Sequence, residues 1–108
     1  MNTTSLTAAD QTALALAMTY WAAHWDFECP TLFGIELGQL QSAIASWPTV
    51  QAGSEHATSL ALLGSMRELL YGASAVPRSE LPPLIGMSYQ QAHDLCSQVH
   101  AFVQPFVE

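Results

Sequence analysis

The sequence predicts an all-α protein: a compact four-helix bundle, mostly antiparallel, with a proline-rich loop before the last helix, in a single domain over residues 1–108. In four segments, apolar residues recur at spacings of three and four positions, which is typical of helices with one buried face. No segment alternates apolar and polar residues over the length of a strand. Most connections are short, and short links favour antiparallel neighbours.

The first predicted helix covers about residues 8–26. Thr7 is a suitable N-cap, and Asp10, three positions later, resembles the second member of a capping box. One stripe of large apolar side chains follows at helical spacing: Leu14, Met18, Trp21 and Trp25. A second apolar strip lies beside it, so we expect this helix either at the centre of the fold or against a partner.

Proline and glycine mark the next two predicted helices. Pro48 ends the second, residues 35–47, because a proline disfavours helical geometry in the residue before it. The third covers residues 55–71, with Ser54 as its N-cap and Gly72 just beyond its end. Small side chains make one face of the third helix smooth, so that another backbone can approach it closely: Ala57, Ala61, Gly64 and Ser65.

The segment 73–87 contains three prolines, which exclude a long helix or a central strand. Its apolar residues indicate that it folds back onto the bundle as a lid. The last predicted helix covers residues 89–104, with Ser88 and Gln91 as a capping box and Pro105 at its end. The residue pattern shows no internal repeat.

Charge is scarce and one-sided in this sequence. Charged residues make up 10% of the chain, against about 25% in an average soluble domain. Asp and Glu total nine, the basic residues are Arg67 and Arg78, and the formal net charge is −7. Binding to nucleic acid needs clusters of Lys or Arg and is therefore not expected, and neither is docking on an anionic membrane. A basic protein partner is compatible with this charge.

The sequence favours a cytoplasmic location. Residues 13–23 form the most apolar run, which is far shorter than the roughly 18 residues of a membrane-spanning helix. The N-terminal residues contain no Lys or Arg, so a secretory signal is not supported. Without an export signal, Cys29 and Cys96 are expected to be free thiols.

A metal site in the stretch from His24 to Gly34 is the first chemical hypothesis. His24 and Glu28 are four positions apart and could share a helical face, with Cys29 beside them. Zinc needs three or four such ligands that converge on one point, and Pro30 disfavours helical geometry at Cys29. We therefore expect no metal ion and no cofactor.

Catalytic residues are not expected either. His93 and His100 are two helical turns apart, about 10.5 Å, too far to act on one ion together. Cys96 falls on the apolar stripe of the last helix and is expected to be inert. Cys29 is expected to be the more accessible thiol, and the carboxylates beside it argue against a reactive thiolate.

A binding surface is the remaining interpretation of the same stretch. Phe27 and Phe33 lie among the carboxylates of Asp26, Glu28 and Glu36. Aromatic side chains anchor protein interfaces, and carboxylates attract a basic partner. These five residues are the predicted partner-binding site, whereas Trp25 is expected to belong to the core.

The leading functional hypothesis is a small acidic protein-binding module, for example an inhibitor or immunity protein that neutralises a basic toxin or effector. An alternative is a self-associating structural or accessory protein, a homodimer through the first helix or the smooth face of the third. Another alternative is a small-ligand-binding protein or enzyme with a pocket under the 73–87 loop.

Overall fold

The computed structural model describes residues 5–107 and confirms the all-α class. Over that range it contains six α-helices, a 3₁₀ helix before the fifth of them, and no strand. The α-helices are α1 (Ala8–Ala23), α2 (Cys29–Phe33), α3 (Leu37–Ser46), α4 (Glu55–Tyr71), α5 (Leu81–Ile85) and α6 (Tyr89–Val107). The 3₁₀ helix, Arg78–Glu80, leads directly into α5. The antiparallel arrangement of four helices stays a prediction.

α1 begins where the sequence predicts and ends earlier. The Thr7 hydroxyl accepts a hydrogen bond from the Asp10 amide at 3.0 Å, and the Asp10 carboxylate accepts one from the Thr7 amide at 3.3 Å. This is the expected capping box. At the other end, His24 is the C-cap, and its amide bonds to the carbonyls of Tyr20 and Trp21. The predicted last turn, up to residue 26, is therefore a non-helical connection.

Two short helices, α2 and α5, occupy segments that were predicted to be connections. Each has proline in its first turn, where the missing N–H has no helical partner to lose. Gly34 and Gly86 end them with φ of 76° and 79°, and each glycine amide bonds to a proline carbonyl at 2.9 Å. Proline thus excludes a long helix here and starts a short one.

The segment 73–87 folds back onto the bundle, as expected. Leu81, Ile85 and Met87 are buried in the core, and Leu84 packs against it. The segment predicted as a lid contains the 3₁₀ helix and α5.

α6 continues through Pro105 to Val107 and so exceeds its predicted length. A proline this close to a helix end interrupts few backbone hydrogen bonds. The last carbonyls of a helix also need donors from outside. His56, in the first turn of α4, donates from Nδ1 to the carbonyl of Phe106 at 2.6 Å.

α4 lies at the centre of the structure and packs against α1, α2, α3 and α6. Its smooth face is occupied from within the chain. A Cβ atom added to Gly64 would lie 2.7 Å from Cδ2 of Phe33, so the Phe33 ring packs directly on the α4 backbone. Ala61 and Ser65 are fully buried as well, and Ala57 is half-buried. Most of this face therefore packs within the chain, and self-association stays a prediction.

The order of helices repeats within the chain, so the expectation of no internal repeat is wrong. α1, α2 and α3 form a first half (residues 8–46), and α4, α5 and α6 form a second half (residues 55–107). The buried positions of the two long helices correspond one by one: Ala13 and Ala61, Leu14 and Leu62, Ala17 and Ser65, Met18 and Met66, Trp21 and Leu69. Three of these five pairs are identical, but the offset between the halves is 48 positions in α1 and α4 and 52 positions from α2 and α5 onward, so no single spacing marks the repeat.

The repeat continues into the third helix of each half. The amide of Glu36 bonds to Oε1 of Gln39 at 2.8 Å, and the amide of Ser88 bonds to Oε1 of Gln91 at 2.9 Å. One pair of contacts between the halves is reciprocal, because α2 packs on α4 and α5 packs on α1. The relationship is incomplete, since α3 packs on α4 without an equally extensive contact between α6 and α1.

No helix within residues 5–107 is both long enough and apolar enough to cross a membrane.

Candidate partner-binding site

The connection between α1 and α2 is a turn held by its own aspartate. Oδ1 of Asp26 accepts a hydrogen bond from the amide of Glu28 at 2.9 Å and another from the thiol of Cys29 at 3.4 Å. The amide of Cys29 also bonds to the carbonyl of Asp26 at 3.2 Å. These contacts are a side-chain turn of the Asx type, and they fix the direction in which the next residue points.

Phe27 points into solvent from this turn. Its side chain is 88% exposed, more than any other large apolar residue that the structure describes. The space beneath the turn is filled by other rings. Phe33 lies 5.8 Å from Trp21 and 5.2 Å from Trp25 between ring centroids. Phe27 therefore has no place in the core, and Asp26 and Glu28 on either side of it are exposed as well.

The five predicted binding residues do not lie on one surface in the structure. Asp26, Phe27 and Glu28 form one exposed surface, which we call the acidic turn. Phe33 is 2% exposed, so its assignment to the binding surface is wrong: its ring fills the gap over Gly64 instead. Glu36 is exposed but belongs to the N-terminus of α3, beyond the far end of α2.

A cavity of about 90 Å³ lies behind the acidic turn. Carboxylates of Asp26, Glu28 and Glu68 line it, together with the Cys29 thiol. Nε of Arg67 lies 3.7 Å from Oε2 of Glu68, so one of these three charges has a partner. The acidic turn therefore presents negative charge on its outer surface and towards this cavity.

Cys29 is less accessible than expected. It is 1% exposed, against 6% for Cys96, so the prediction that it is the more accessible thiol is wrong. Both thiols are free. Burial raises the pKa of Cys29, and the carboxylates of Asp26 and Glu28 raise it further. The thiol therefore stays protonated near neutral pH and is a poor nucleophile.

His24 faces away from Glu28 and Cys29. Its Nδ1 donates to the carbonyl of Tyr20 at 2.7 Å, and its ring stacks on the Tyr20 ring at 4.1 Å. The early end of α1 removes the helical face that the metal hypothesis required. Among the described residues, no three His, Cys, Asp or Glu side chains form a group that could hold a metal ion.

The repeat places an equivalent cavity, of about 330 Å³, under the 73–87 segment. Three of its lining residues have counterparts in the cavity behind the acidic turn: Glu80 corresponds to Glu28, Leu84 to Leu32 and Tyr20 to Glu68. The titratable groups that line this cavity are one carboxylate and one phenol. The alternative of a ligand pocket under this loop therefore has a cavity, but not a set of groups suited to acid–base or nucleophilic chemistry.

Sequence reasoning missed a cleft between α4 and α6, which we call the α4–α6 cleft. Nδ1 of His93 and the hydroxyl of Tyr71 are 2.5 Å apart there. Tyr89 stacks on His93 with a centroid separation of 6.4 Å, and the guanidinium of Arg78 lies 4.0 Å above the Tyr89 ring. The helical spacing of Tyr89, His93 and His100 is visible in the sequence. That this face of α6 meets Tyr71 of α4 is not.

No family model, curated protein or solved structure matches this chain.

Proposed function

We propose that this protein is a small acidic binding module of the cytoplasm that attaches to a basic protein through the acidic turn. The observation that carries the proposal is the 88% exposure of Phe27 between two exposed carboxylates, on a turn that is fixed from within. The free thiols of Cys29 and Cys96 support a reducing compartment.

An exposed phenylalanine is a suitable anchor for a partner. Burying such a ring against another protein contributes about 1.5–3 kcal/mol through the hydrophobic effect. The hydrogen bonds of Asp26 and the aromatic core below hold the turn before any partner arrives. Little conformational entropy is then lost on binding, which favours affinity.

The charge of the chain favours a basic partner. The formal net charge is −7, and the two carboxylates of the acidic turn flank the anchor. Opposite charges at the rim of an interface accelerate association and make it sensitive to salt. An inhibitor or immunity protein that blocks a basic toxin or effector fits this chemistry, because such a protein needs affinity and no catalytic groups.

A capture experiment tests the proposal. The wild-type chain and the triple variant Asp26→Asn, Phe27→Ser, Glu28→Gln serve as baits in an extract of the source organism. Asn at position 26 still accepts the hydrogen bond that closes the turn, so the variant removes charge and the ring but keeps the fold. We expect a basic protein to be retained by the wild type, released by salt and absent from the triple variant.

Calorimetry with the captured partner makes the test quantitative. We expect Phe27→Ala to weaken affinity by about tenfold or more, the level of an interface anchor. Glu80→Gln is the matched control, because Glu80 has the position in the second half that Glu28 has in the first. A partner that binds the triple variant as tightly as the wild type would refute the acidic turn as the interface.

A further inference from the structure

The side chains that line the α4–α6 cleft have no part in the proposed function. Its volume is about 380 Å³, within the usual range of small-molecule sites. Residues of the acidic turn do not line it. The side chains that give it its chemistry are Leu63, Arg67 and Tyr71 of α4 and His93, Cys96 and His100 of α6.

Basic groups are concentrated in this cleft, against the charge of the chain as a whole. The sequence holds two Lys or Arg residues and four His, and Arg67, His93 and His100 all line the cleft. No Asp or Glu among the described residues lines it. Glu68 contacts Arg67 at 3.7 Å, and Asp94 is near enough to Tyr71 to raise its pKa, but both carboxylates line other cavities. An anion in the cleft would therefore meet the Arg67 guanidinium and the histidine N–H donors in a lining without carboxylates.

The contacts of these side chains leave donors available. The Tyr71 hydroxyl can donate to Nδ1 of His93, which leaves the proton of neutral His93 on Nε2 as a free donor. His100 has no hydrogen-bond or ion-pair partner in the described part of the chain. A guanidinium has five N–H donors, and Arg67 has two long contacts, 3.7 Å to Glu68 and 3.5 Å to the carbonyl of Leu32.

The floor of the cleft is apolar and neutral. Leu63 is 7% exposed and Cys96 is 6% exposed. Burial raises the pKa of Cys96, although the charge of Arg67 opposes this, so the thiol adds no negative charge near neutral pH. A ligand with an apolar body can therefore lie on this floor while its charged head faces the rim.

The first half shows that the fold does not require these groups. Arg67, Tyr71 and His93 correspond to Thr19, Ala23 and Gln41. Leu63 and Cys96 correspond to Ala15 and Ile44, which are aliphatic, and the position that corresponds to His100 is Pro48, beyond the end of α3. Since the helices of the first half form without basic groups at the positions of Arg67 and His93, the presence of these groups in the second half calls for another reason.

We propose that the α4–α6 cleft binds a small organic anion, with an oxyanion head held by Arg67 and His100 and a short apolar body on Leu63 and Cys96. Charged hydrogen bonds to an oxyanion contribute more than neutral ones, and the apolar floor favours a ligand with several carbon atoms over an inorganic ion.

Hexanoate is the probe for the test, with hexanol as the uncharged analogue and acetate as the head group alone. Amide and imidazole signals of the full chain are followed by NMR during titration at low salt. We expect saturable shifts that are confined to the two sides of the cleft with hexanoate. Binding of hexanol and of acetate should each be weaker by about tenfold or more.

Two variants locate the site. Arg67→Gln and His100→Gln alter exposed side chains, so the fold should persist, which circular dichroism checks. Each should weaken hexanoate binding by about tenfold. The matched control is Thr19→Gln, the first-half counterpart of Arg67, which should leave binding unchanged, and Phe27→Ala should do so as well.

Equal affinity for hexanoate and hexanol, or unaltered hexanoate binding by Arg67→Gln, would overturn the proposal. A lack of saturable shifts with hexanoate would overturn it too. Because Phe27→Ala affects the acidic turn and not the cleft, failure here is distinct from failure of the proposed protein-binding function.

Discussion

Phe33 of the first half packs on Gly64 of α4. In the second half, α5 with the buried Ile85 packs on α1, where Leu16 has the position of Gly64. The first arrangement brings an aromatic ring into contact with a helix backbone. The second uses a smaller side chain, and Leu16 remains 40% exposed. The same framework thus tolerates two packing solutions, and each half depends on its own.

The outer surfaces of the halves differ in a second way. The first half has a short turn before α2 and exposes Phe27 between two carboxylates. The second half has a longer connection, residues 72–80, before α5 and concentrates basic groups in the α4–α6 cleft. The two halves thus share a buried framework, whereas the exposed residues on which both proposals depend lie where the halves differ.

The largest expected effect comes from Trp21, the counterpart of Leu69. Trp21→Ala should lower the free energy of unfolding by about 3–5 kcal/mol, because it empties a large core site. The indole also donates to the carbonyl of Ser65 at 3.0 Å, a bond that Leu69 does not make. Leu69→Ala should therefore cost less, within the range of about 2–5 kcal/mol. Urea denaturation measures both, and a loss below about 1 kcal/mol at Trp21 would contradict its place in the core.

Gly64→Ala tests the close contact in the first packing solution. The added methyl group would lie 2.7 Å from Phe33, so the ring must move, and we expect a loss of about 1–3 kcal/mol. Leu16→Ala at the equivalent position should change stability by about 0.5 kcal/mol or less, because Leu16 is partly in solvent. Equal effects at the two positions would show that the halves pack alike.

Ser65 offers a prediction of the opposite sign. Its hydroxyl is buried without a hydrogen-bond partner in the part of the chain that the structure describes, and its counterpart in α1 is Ala17. An unsatisfied buried polar group is destabilising, so Ser65→Ala should raise stability by about 1 kcal/mol. Ala17→Ser is the reciprocal control and should lower it. Thermal denaturation of both variants measures the changes, and a destabilised Ser65→Ala would mean that the hydroxyl has a partner.

The smallest expected effect on stability is that of Phe27→Ala. The ring is almost entirely in solvent, so the loss should be below about 0.5 kcal/mol. Phe33→Ala, six positions further on, should cost about 3–5 kcal/mol because that ring is in the core. Denaturation in urea separates the two. A large loss at Phe27 would mean that this residue serves the fold and not a partner.

The sequence predicted the long helices well because their signals are local. Thr7 with Asp10, Pro48 and Ser88 with Gln91 mark helix ends by contacts within a few residues. It did not predict α2 and α5, because a proline-containing helix of this length leaves too short a periodic pattern. It also did not separate Phe27 from Phe33, since only the packing over Gly64 decides which ring is buried.

The α4–α6 cleft and the repeat were not predicted either, because local residue patterns do not show how helices pack against one another. The pairing of Tyr71 with His93 depends on which faces of two helices meet. The correspondence of the halves needs two different offsets along the chain, 48 and 52 positions, so no single spacing shows it. The exposure of Asp26 and Glu28 was predictable because a charged residue beside a turn is exposed in almost any fold.

A photo-crosslinking amino acid at position 27 tests the central claim most directly. Ser79 is the matched position in the second half, two residues before α5 as Phe27 is two residues before α2. In cells of the source organism, we predict a salt-sensitive adduct with one basic protein from position 27 and none from position 79. If position 27 gives no adduct, or position 79 gives the same one, the acidic turn is not the surface through which this protein acts.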